Sequence, residues 1–220
     1  WGDYRKALAD DASYLGSLGR QVSSVRDLFR FEVRKALGMN PQAVLAGRLD
    51  AYAPAAGLPL QFGLVFPGSL EGRFYLGPVG RGWSHSYDIR LEEQSTGDIL
   101  IHWPGSFTRF FSSTGDGTYA ALPGDHGELI LTGGIFELTE KDGTRYQFRS
   151  DHRLDYVEDL NGNRITLTYN TSSQLTVIHH SNGDSFTLQY NPQGWISLLT
   201  DQTGEVTQYG YDTSGEHLLT

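Results

Sequence analysis

The pattern of hydrophobic and polar residues changes once along this chain, near residue 58. Before that point, apolar side chains recur every three or four positions, which is the spacing of one face of an α-helix. The spacing predicts two helices within roughly the first 40 residues. The apolar positions of the first are Tyr4, Leu8, Ala12, Leu15, Leu18 and Val22, and those of the second are Val25, Leu28, Phe29, Val33, Ala36 and Leu37.

Capping and helix-breaking residues mark the limits of the second predicted helix. Ser23 and Ser24 precede it as N-cap candidates, and Gly38 follows it as a C-terminal cap. Asn40-Pro41 prevents further helix, because proline has no amide hydrogen. We interpret residues 1–57 as a helical lead-in, which is either a connector to the following sheet or a docking element for another part of the parent chain.

After residue 58, short runs of alternating apolar and polar residues are separated by turn-forming residues. Examples are Ile99-Leu100-Ile101, Leu129-Ile130-Leu131 and Phe136-Glu137-Leu138-Thr139. Alternation with period two predicts half-buried strands, and Asp142-Gly143 is typical of a hairpin turn. No helical stretch of about 10–15 residues interrupts this pattern, so a βαβ fold is not expected. The sequence therefore predicts a mainly β fold of antiparallel hairpins, with a short N-terminal helical segment.

One ten-residue outline occurs three times, and each copy begins 21 residues after the last: NGNRITLTYN (161–170), NGDSFTLQYN (182–191) and TGEVTQYGYD (203–212). A period of about 20–50 residues is typical of repeat architectures. The repeated positions are Gly162, Tyr169, Gly183, Tyr190, Gly204 and Tyr211. An earlier unit fits the same frame with two residues fewer before its aromatic position, and it contains Gly143, Phe148, Leu154, Tyr156 and Val157.

Each unit has the length of one β-hairpin. Ile165, Leu167 and Tyr169 share one face of a strand, because side chains alternate along it. A turn at 171–173 reverses the chain, and a second turn at 181–183 reverses it again. Since an isolated hairpin is marginally stable, we expect successive hairpins to extend one sheet, whose apolar face packs on another element or closes on itself. The recurring tyrosine offers a ring for that face and a hydroxyl able to reach a neighbour.

The third unit, GEVTQYGYDTSG (204–215), resembles the YD repeat of RHS (rearrangement hotspot) proteins, which runs roughly G-x4-Y-x-Y-D-x-x-G. The two units before it have Leu167 and Leu188 in place of the first tyrosine, and asparagine in place of the aspartate. Upstream, GPVGRGWSHSYD (77–88) is similar to the segment that precedes the repeats in many bacterial RHS proteins. The resemblance covers residues 58–220 and divides them into an upstream β-module, 58–140, and hairpin repeats, 141–220.

The resemblance implies a structural function. RHS proteins are large secreted or surface proteins of bacteria, related in architecture to the teneurins, and their repeats wind into a hollow β-shell. In toxin-bearing members the shell encloses a C-terminal effector that self-cleavage releases, and other members act in adhesion. Nothing in this chain matches the effector or the cleavage motif, so we expect no catalysis and no cofactor here. The expected partner is the remainder of the parent chain, with Trp83 anchoring the upstream β-module. A carbohydrate-binding or adhesion module of a bacterial surface protein is the alternative.

Charge is distributed unevenly and argues against one class of partner. Residues 1–60 contain eight Lys/Arg and six Asp/Glu, a net +2, whereas residues 61–220 contain nine and twenty, a net −11; together they give the −9 of the whole chain. An acidic repeat region does not favour nucleic-acid binding, which needs a basic face. The chain has no cysteine, no apolar run long enough to cross a bilayer, and Trp1 rather than Met at its start. We therefore expect a piece of a longer protein.

Several residue groups are candidates for chemistry, each with a simpler interpretation. Ser84, His85 and Asp88 contain the residue types of a hydrolytic triad, although the second glycine of G-x-S-x-G is missing. The metal-site candidates are His126, His152, His179 and His180, but the adjacent pair faces opposite sides of any strand, so surface imidazoles are the default. Residues 159–163 only partly match a calcium loop and are explained by an Asn-Gly turn.

Two further groups concern carbohydrates. Asp155, Glu158 and Asp159 are candidates for the acid and base of a glycosidase, or they are ordinary charged turn residues. The aromatic residues that could stack on a sugar ring are Trp103, Trp195, Tyr119 and Tyr156. Aromatic side chains more often fill the buried face of a sheet, which is the simpler interpretation of these four.

Overall fold

The computed structural model describes residues 2–17, 24–36, 44–69 and 72–220. The chain forms two compact units, Trp1–Pro41 and Gln42–Thr220. The first unit contains helix α1 (Gly2–Ser17) and helix α2 (Val25–Ala36), which pack against each other. Both predicted helices are confirmed. The capping predictions for Ser23, Gly38 and Asn40-Pro41 lie outside the described residues.

The second unit begins with a strand where the sequence suggested a helical lead-in. The helices end by residue 36, and Val44–Ala53 forms strand β1. This strand pairs along its length with β2 (Leu60–Pro67) in an antiparallel ladder. The lead-in assigned to residues 1–57 therefore contains a strand as well as the two helices, and the backbone bonds that define β1 come from a partner strand beyond residue 57.

The remaining elements are short and follow one another closely. They are a 3-10 turn (Gly72–Phe74), β3 (Leu76–Gly77), β4 (Gly80–Arg81), β5 (Ser84–His85), β6 (Arg90–Glu93), β7 (Ile99–Trp103), β8 (Phe107–Ser113), β9 (Thr118–Ala121), β10 (Glu128–Thr132), β11 (Ile135–Thr139), β12 (Arg145–Phe148), β13 (Leu154–Glu158), β14 (Arg164–Tyr169), β15 (Leu175–His180), β16 (Ser185–Tyr190), β17 (Ile196–Thr200) and β18 (Val206–Gln208).

The strands form a large sheet in simple sequential order. The 13 strands from β6 to β18 each pair antiparallel with the next, while β1, β2 and β5 form a three-stranded sheet and β3 and β4 pair separately. The predicted mainly β, antiparallel fold with a short N-terminal helical segment is confirmed. The large sheet also bends back on itself, because the Leu91 amide at β6 bonds the His152 carbonyl beside β13 at 2.9 Å.

The strand pairs of the repeat region alternate between long and short ladders. β14 and β15 pair from Ile165–His180 to Tyr169–Leu175, with a bulge near the tyrosine. By contrast, β13 and β14 share only three residue pairs, as do β15 and β16, and β17 and β18. Each long-ladder pair is the hairpin that the 21-residue period predicted. Neighbouring hairpins are joined by a short ladder and splay apart at the end where the tyrosines lie.

One face of the large sheet is apolar and packs on the small sheet. Leu167, Leu188 and Tyr209 occupy equivalent positions in the three repeats and are buried side by side. They belong to one hydrophobic core with Phe62 and Leu64 of β2. The apolar face of the repeats is therefore covered by residues upstream of them. This placement brings the loops around residues 76–90 against the splayed ends of the hairpins.

Candidate functional site

The turn that follows each repeat tyrosine is closed by the side chain of the residue directly after that tyrosine. The Asn170 Oδ1 accepts the amides two and four residues later, each at 3.0 Å, and Asn191 repeats the arrangement at 3.1 and 2.9 Å. Asp212 accepts the amides of Glu216 and His217 in the corresponding turn. Hydrogen bonds, first from the Ser214 hydroxyl and then from His217, lower the pKa of Asp212 to about 2. An asparagine or aspartate after the tyrosine is thus a turn residue.

The glycine in the other turn of each repeat is explained by its backbone conformation. Gly162, Gly183 and Gly204 have φ values of 80°, 105° and 89°, which side chains with a Cβ rarely adopt. The amide of each bonds the carbonyl three residues earlier and closes the turn. Ser173 takes the same left-handed conformation, with φ 57°, at the position that Gly194 occupies one repeat later.

The three repeat tyrosines make the same hydrogen bond. The hydroxyls of Tyr169, Tyr190 and Tyr211 donate to carbonyl oxygens 15 residues earlier, at 2.7, 2.8 and 2.7 Å. The acceptors are Leu154, Leu175 and Ile196, the first residues of β13, β15 and β17. Burial raises the pKa of each tyrosine. Each hydroxyl therefore bridges the gap that opens between two neighbouring hairpins where their backbone pairing has ended. We call this gap a splay.

The backbone amides of the same three acceptor residues differ in their hydrogen-bond partners. The Leu154 amide donates to the Ile89 carbonyl at 3.3 Å, and the Ile196 amide donates to the Pro78 carbonyl at 2.8 Å. Both carbonyls come from the segment between β3 and β6. No acceptor from that segment reaches the Leu175 amide within the described residues. The middle splay of the three is the one left open.

A cleft of about 330 Å³ lies at this open splay. Its walls include Leu76, Gly77, Pro78 and Ile89 from the upstream segment, and Tyr169, Ser173, Gln174, Leu175, Tyr190 and Trp195 from the repeats. The size is at the lower end of ordinary small-ligand sites. Because the segments that cover Leu154 and Ile196 form two of its walls, the cleft is bounded on both sides by filled splays.

Charged side chains of both signs line the same cleft. Asp88 accepts the Tyr75 hydroxyl through Oδ1 at 3.1 Å, and its Oδ2 is buried with no hydrogen-bond partner among the described residues. The Arg90 guanidinium lies 4.6 Å from the Tyr75 ring centroid, and Arg153 also lines the cleft. Burial is the main cause that raises the pKa of the neighbouring Tyr87 to about 12. The cleft is thus lined by cationic, anionic and aromatic side chains.

The candidate hydrolytic residues Ser84 and His85 each accept a hydrogen bond from a backbone amide. Ser84 is buried and its Oγ accepts the Gly105 amide at 2.9 Å. His85 is also buried, stacks on Phe62, and accepts the Tyr87 amide through Nδ1 at 3.2 Å; burial lowers its pKa. No hydrogen bond joins Ser84 to His85 within the described residues. Each group instead supports a turn or strand end.

Trp83, the expected anchor, is half-buried. Its ring lies 5.2 Å from that of Phe66 on β2, and it packs against the hydrophobic core. Its neighbours Gly82 and Ser84 are both buried. Trp83 thus contacts β2 and the core of the second unit.

The histidines and carboxylates do not converge on a metal. No group of three or more potential ligands is present in the described ranges. His179 is exposed and His180 buried, as expected for neighbours on a strand. Asp159 accepts the amides of Asn161 and Asn163 in its turn, which is the simpler of its two interpretations. Glu158 is buried between the guanidinium groups of Arg145 and Arg164.

Of the four candidate sugar-stacking aromatics, one lies in the cleft. Trp195 lines it, whereas Trp103 packs edge-on against Tyr146 with ring centroids 5.0 Å apart. Tyr119 lies 5.7 Å from Phe136, and Tyr156 is buried with a guanidinium 3.9 Å above its ring. Sequence reasoning missed Tyr75, Arg90 and Arg153. The sequence contains a signal for one of them, because Arg153, Gln174 and Trp195 follow one another at intervals of 21 residues.

Comparison with known proteins adds no identification. No protein-family model matches the chain, and no curated protein matches it. Within the residues described, neither helix has the length and apolar character that crossing a bilayer requires.

Proposed function

We propose that this chain is a structural part of a large secreted or surface RHS/YD-repeat protein, and that it forms a section of a β-shell that encloses or displays a domain encoded elsewhere. The observation that supports this most is the tyrosine–carbonyl bond, repeated at intervals of 21 residues. One bond geometry used three times makes each hairpin an equivalent module, so further hairpins can be added by the same rule.

The proposed mechanism is mechanical. A new hairpin pairs with the previous one through three residue pairs, and its tyrosine then fixes the splayed end. The apolar side chains of each hairpin continue one buried row and exclude water from it. Under this proposal the upstream β-module provides the first surface on which the row is covered.

The proposal assigns no catalysis to this chain. Ser84 and His85 are buried in hydrogen bonds to backbone amides, and Glu158 is shared by two arginines. Groups held in this way are positioned for stability. Secretion or surface display belongs to the same proposal, since it follows from the kind of protein to which the chain is assigned.

The test is to image the parent protein by cryo-electron microscopy and to digest it with a protease. We expect further hairpins to continue from β18, to repeat the tyrosine–carbonyl bond, and to close around a cavity whose contents resist digestion. A variant with all three repeat tyrosines changed to phenylalanine should expose those contents at lower protease concentration. A parent in which no further repeats follow, or in which the sheet stays open, would overturn the proposal.

A further inference from the structure

The three hairpin splays provide an internal comparison. Leu154, Leu175 and Ile196 are 21 residues apart, and each accepts a tyrosine hydroxyl through its carbonyl. The amides of the outer two donate to main-chain carbonyls of Ile89 and Pro78. Leu175 lines the cleft, and no bond joins its amide to the upstream segment among the described residues. The same backbone site is therefore filled by peptide twice and left open once.

We propose that the cleft binds a short extended peptide from a partner protein, and that one main-chain carbonyl of this peptide accepts the Leu175 amide. The two filled splays indicate what kind of ligand fits, because in each of them a main-chain carbonyl of the upstream segment accepts the amide. Addition of a peptide to unpaired backbone at a strand end is an established mode of peptide recognition.

The polar groups of the cleft match a peptide unit. A peptide unit has both an acceptor and a donor, and the cleft is lined by Leu175, whose amide has no upstream acceptor, and by Asp88, whose buried Oδ2 has no hydrogen-bond partner among the described residues. Rotation about the Cβ–Cγ bond of aspartate is soft, so one carboxylate oxygen can turn toward a bound amide. An unsatisfied buried carboxylate oxygen is costly, and a donor from the ligand would remove that cost.

The charged and aromatic side chains of the cleft further limit the class of ligand that it can bind. A simple anion would face Asp88, and a simple cation would face Arg90 and Arg153. A neutral backbone segment avoids both conflicts. The rings of Tyr190 and Trp195 also line the cleft, and they suit a proline or aliphatic side chain of the peptide.

The first test uses hydrogen exchange on the complete chain without ligand. The Leu175 amide should exchange faster than the amides of Leu154 and Ile196, since these two are bonded to upstream carbonyls. Equal protection of all three amides would overturn the proposal, because the middle site would then already be filled.

The second test measures binding by nuclear magnetic resonance of the ¹⁵N-labelled chain. The probes are the capped peptide Leu-Gly-Pro-Val-Gly, which copies residues 76–80, a pool of capped tetrapeptides, and a panel of neutral mono- and disaccharides. We expect a saturable shift of the Leu175 amide with a peptide at up to about 5 mM, the range for weak dissociation constants. No peptide-induced shift, or a shift produced by saccharides only, would overturn the proposal.

Matched variants locate the site. Trp195→Ala should weaken peptide binding about tenfold, which corresponds to the loss of one aromatic contact. Trp103→Ala should leave binding unchanged, since Trp103 packs against Tyr146 outside the cleft. Equal weakening by both variants would place binding elsewhere. The indole N–H resonance of Trp195 in the unmodified chain gives a readout that needs no variant, and it should shift together with the Leu175 amide. The outcome does not depend on whether the parent protein forms a shell.

Discussion

Replacing Tyr190 by phenylalanine removes one atom from the joint between two hairpins. The Tyr190 hydroxyl donates to the Leu175 carbonyl at 2.8 Å, across a gap where the ladder between β15 and β16 has ended after three residue pairs. The phenylalanine ring should fit without other change, because Phe148 occupies the equivalent position of the earliest unit and is fully buried. The variant therefore isolates the hydrogen bond.

The expected loss of stability follows from the burial of the acceptor. A typical intramolecular hydrogen bond contributes a net of about 0.5–1.5 kcal/mol to the free energy of unfolding. Leu175 is 4% exposed, so part of the desolvation cost of its carbonyl is added when the donor is removed. We expect about 1–2 kcal/mol for Tyr190→Phe, and similar values for Tyr169→Phe and Tyr211→Phe.

Additivity gives a second quantity to check. Equivalent tyrosines are two strands apart in the sheet, a separation of roughly 10 Å. Substitutions at that distance without shared partners usually add to within about 0.5 kcal/mol. The triple variant should therefore lose about the sum of the three single losses in free energy of unfolding.

The assay is urea unfolding followed by far-ultraviolet circular dichroism, with Tyr156→Phe as the control. Tyr156 undergoes the same chemical change, but its hydroxyl has no hydrogen bond in the part of the chain that the structure describes. The control should lose less than about 0.5 kcal/mol. If Tyr190→Phe loses no more than Tyr156→Phe does, the hydroxyl does not fix the splayed end and the modular interpretation of the repeats is wrong.

Five other substitutions, one of them a control, test the turns and one buried ion pair. Gly162→Ala should cost about 1–2 kcal/mol of unfolding free energy, because no atom lies within 4 Å of the added Cβ and only the left-handed φ opposes it. Ser173→Gly should stabilise the chain by up to about 1 kcal/mol, because Ser173 already has a left-handed φ. A change of the same sign for both variants in urea unfolding would contradict this reasoning. The folded pKa of Asp212 is depressed to about 2, so its contribution is present above the unfolded value of about 3.9 and is lost as pH falls through 2. Melting temperature should therefore fall less between about pH 4 and 2 in Asp212→Asn than in the unmodified chain, and equal slopes would count against the capping interpretation. Glu158→Gln should cost about 1–3 kcal/mol, because two guanidinium groups lose a shared buried carboxylate, while the exposed Glu205→Gln should be near neutral in the same urea assay.

The repeat region could be predicted because its pattern is local. Alternation along a strand is a property of the backbone, so Ile165 and Leu167 are buried and Thr168 is exposed as the sequence indicates. The glycine spacing likewise locates turns, because few other residues adopt their φ values. The earlier unit with Phe148 and Leu154 was also recognisable, since it keeps the same order of apolar positions.

The cleft could not be predicted for the opposite reason. Its walls join residues 75–90 to residues 169–195, and nothing in a local pattern states which carbonyl meets which amide. Strand β1 was missed on similar grounds, because its ladder depends on a partner strand that begins at Leu60. Nothing in the sequence indicated that Asp88 would line a cleft together with Arg90 and Arg153, since both signs of charge are common in loops.

The alternation of long and short ladders has a consequence for how the chain responds to force. Seams between hairpins have three residue pairs and one tyrosine bond, whereas the β14–β15 hairpin has five pairs. Pulling on the two ends should peel the structure along its seams, one module at a time. Each event would release 21 residues, an extension of about 70 Å when fully stretched. A trace of evenly spaced steps under tension would then be the mechanical signature of this architecture.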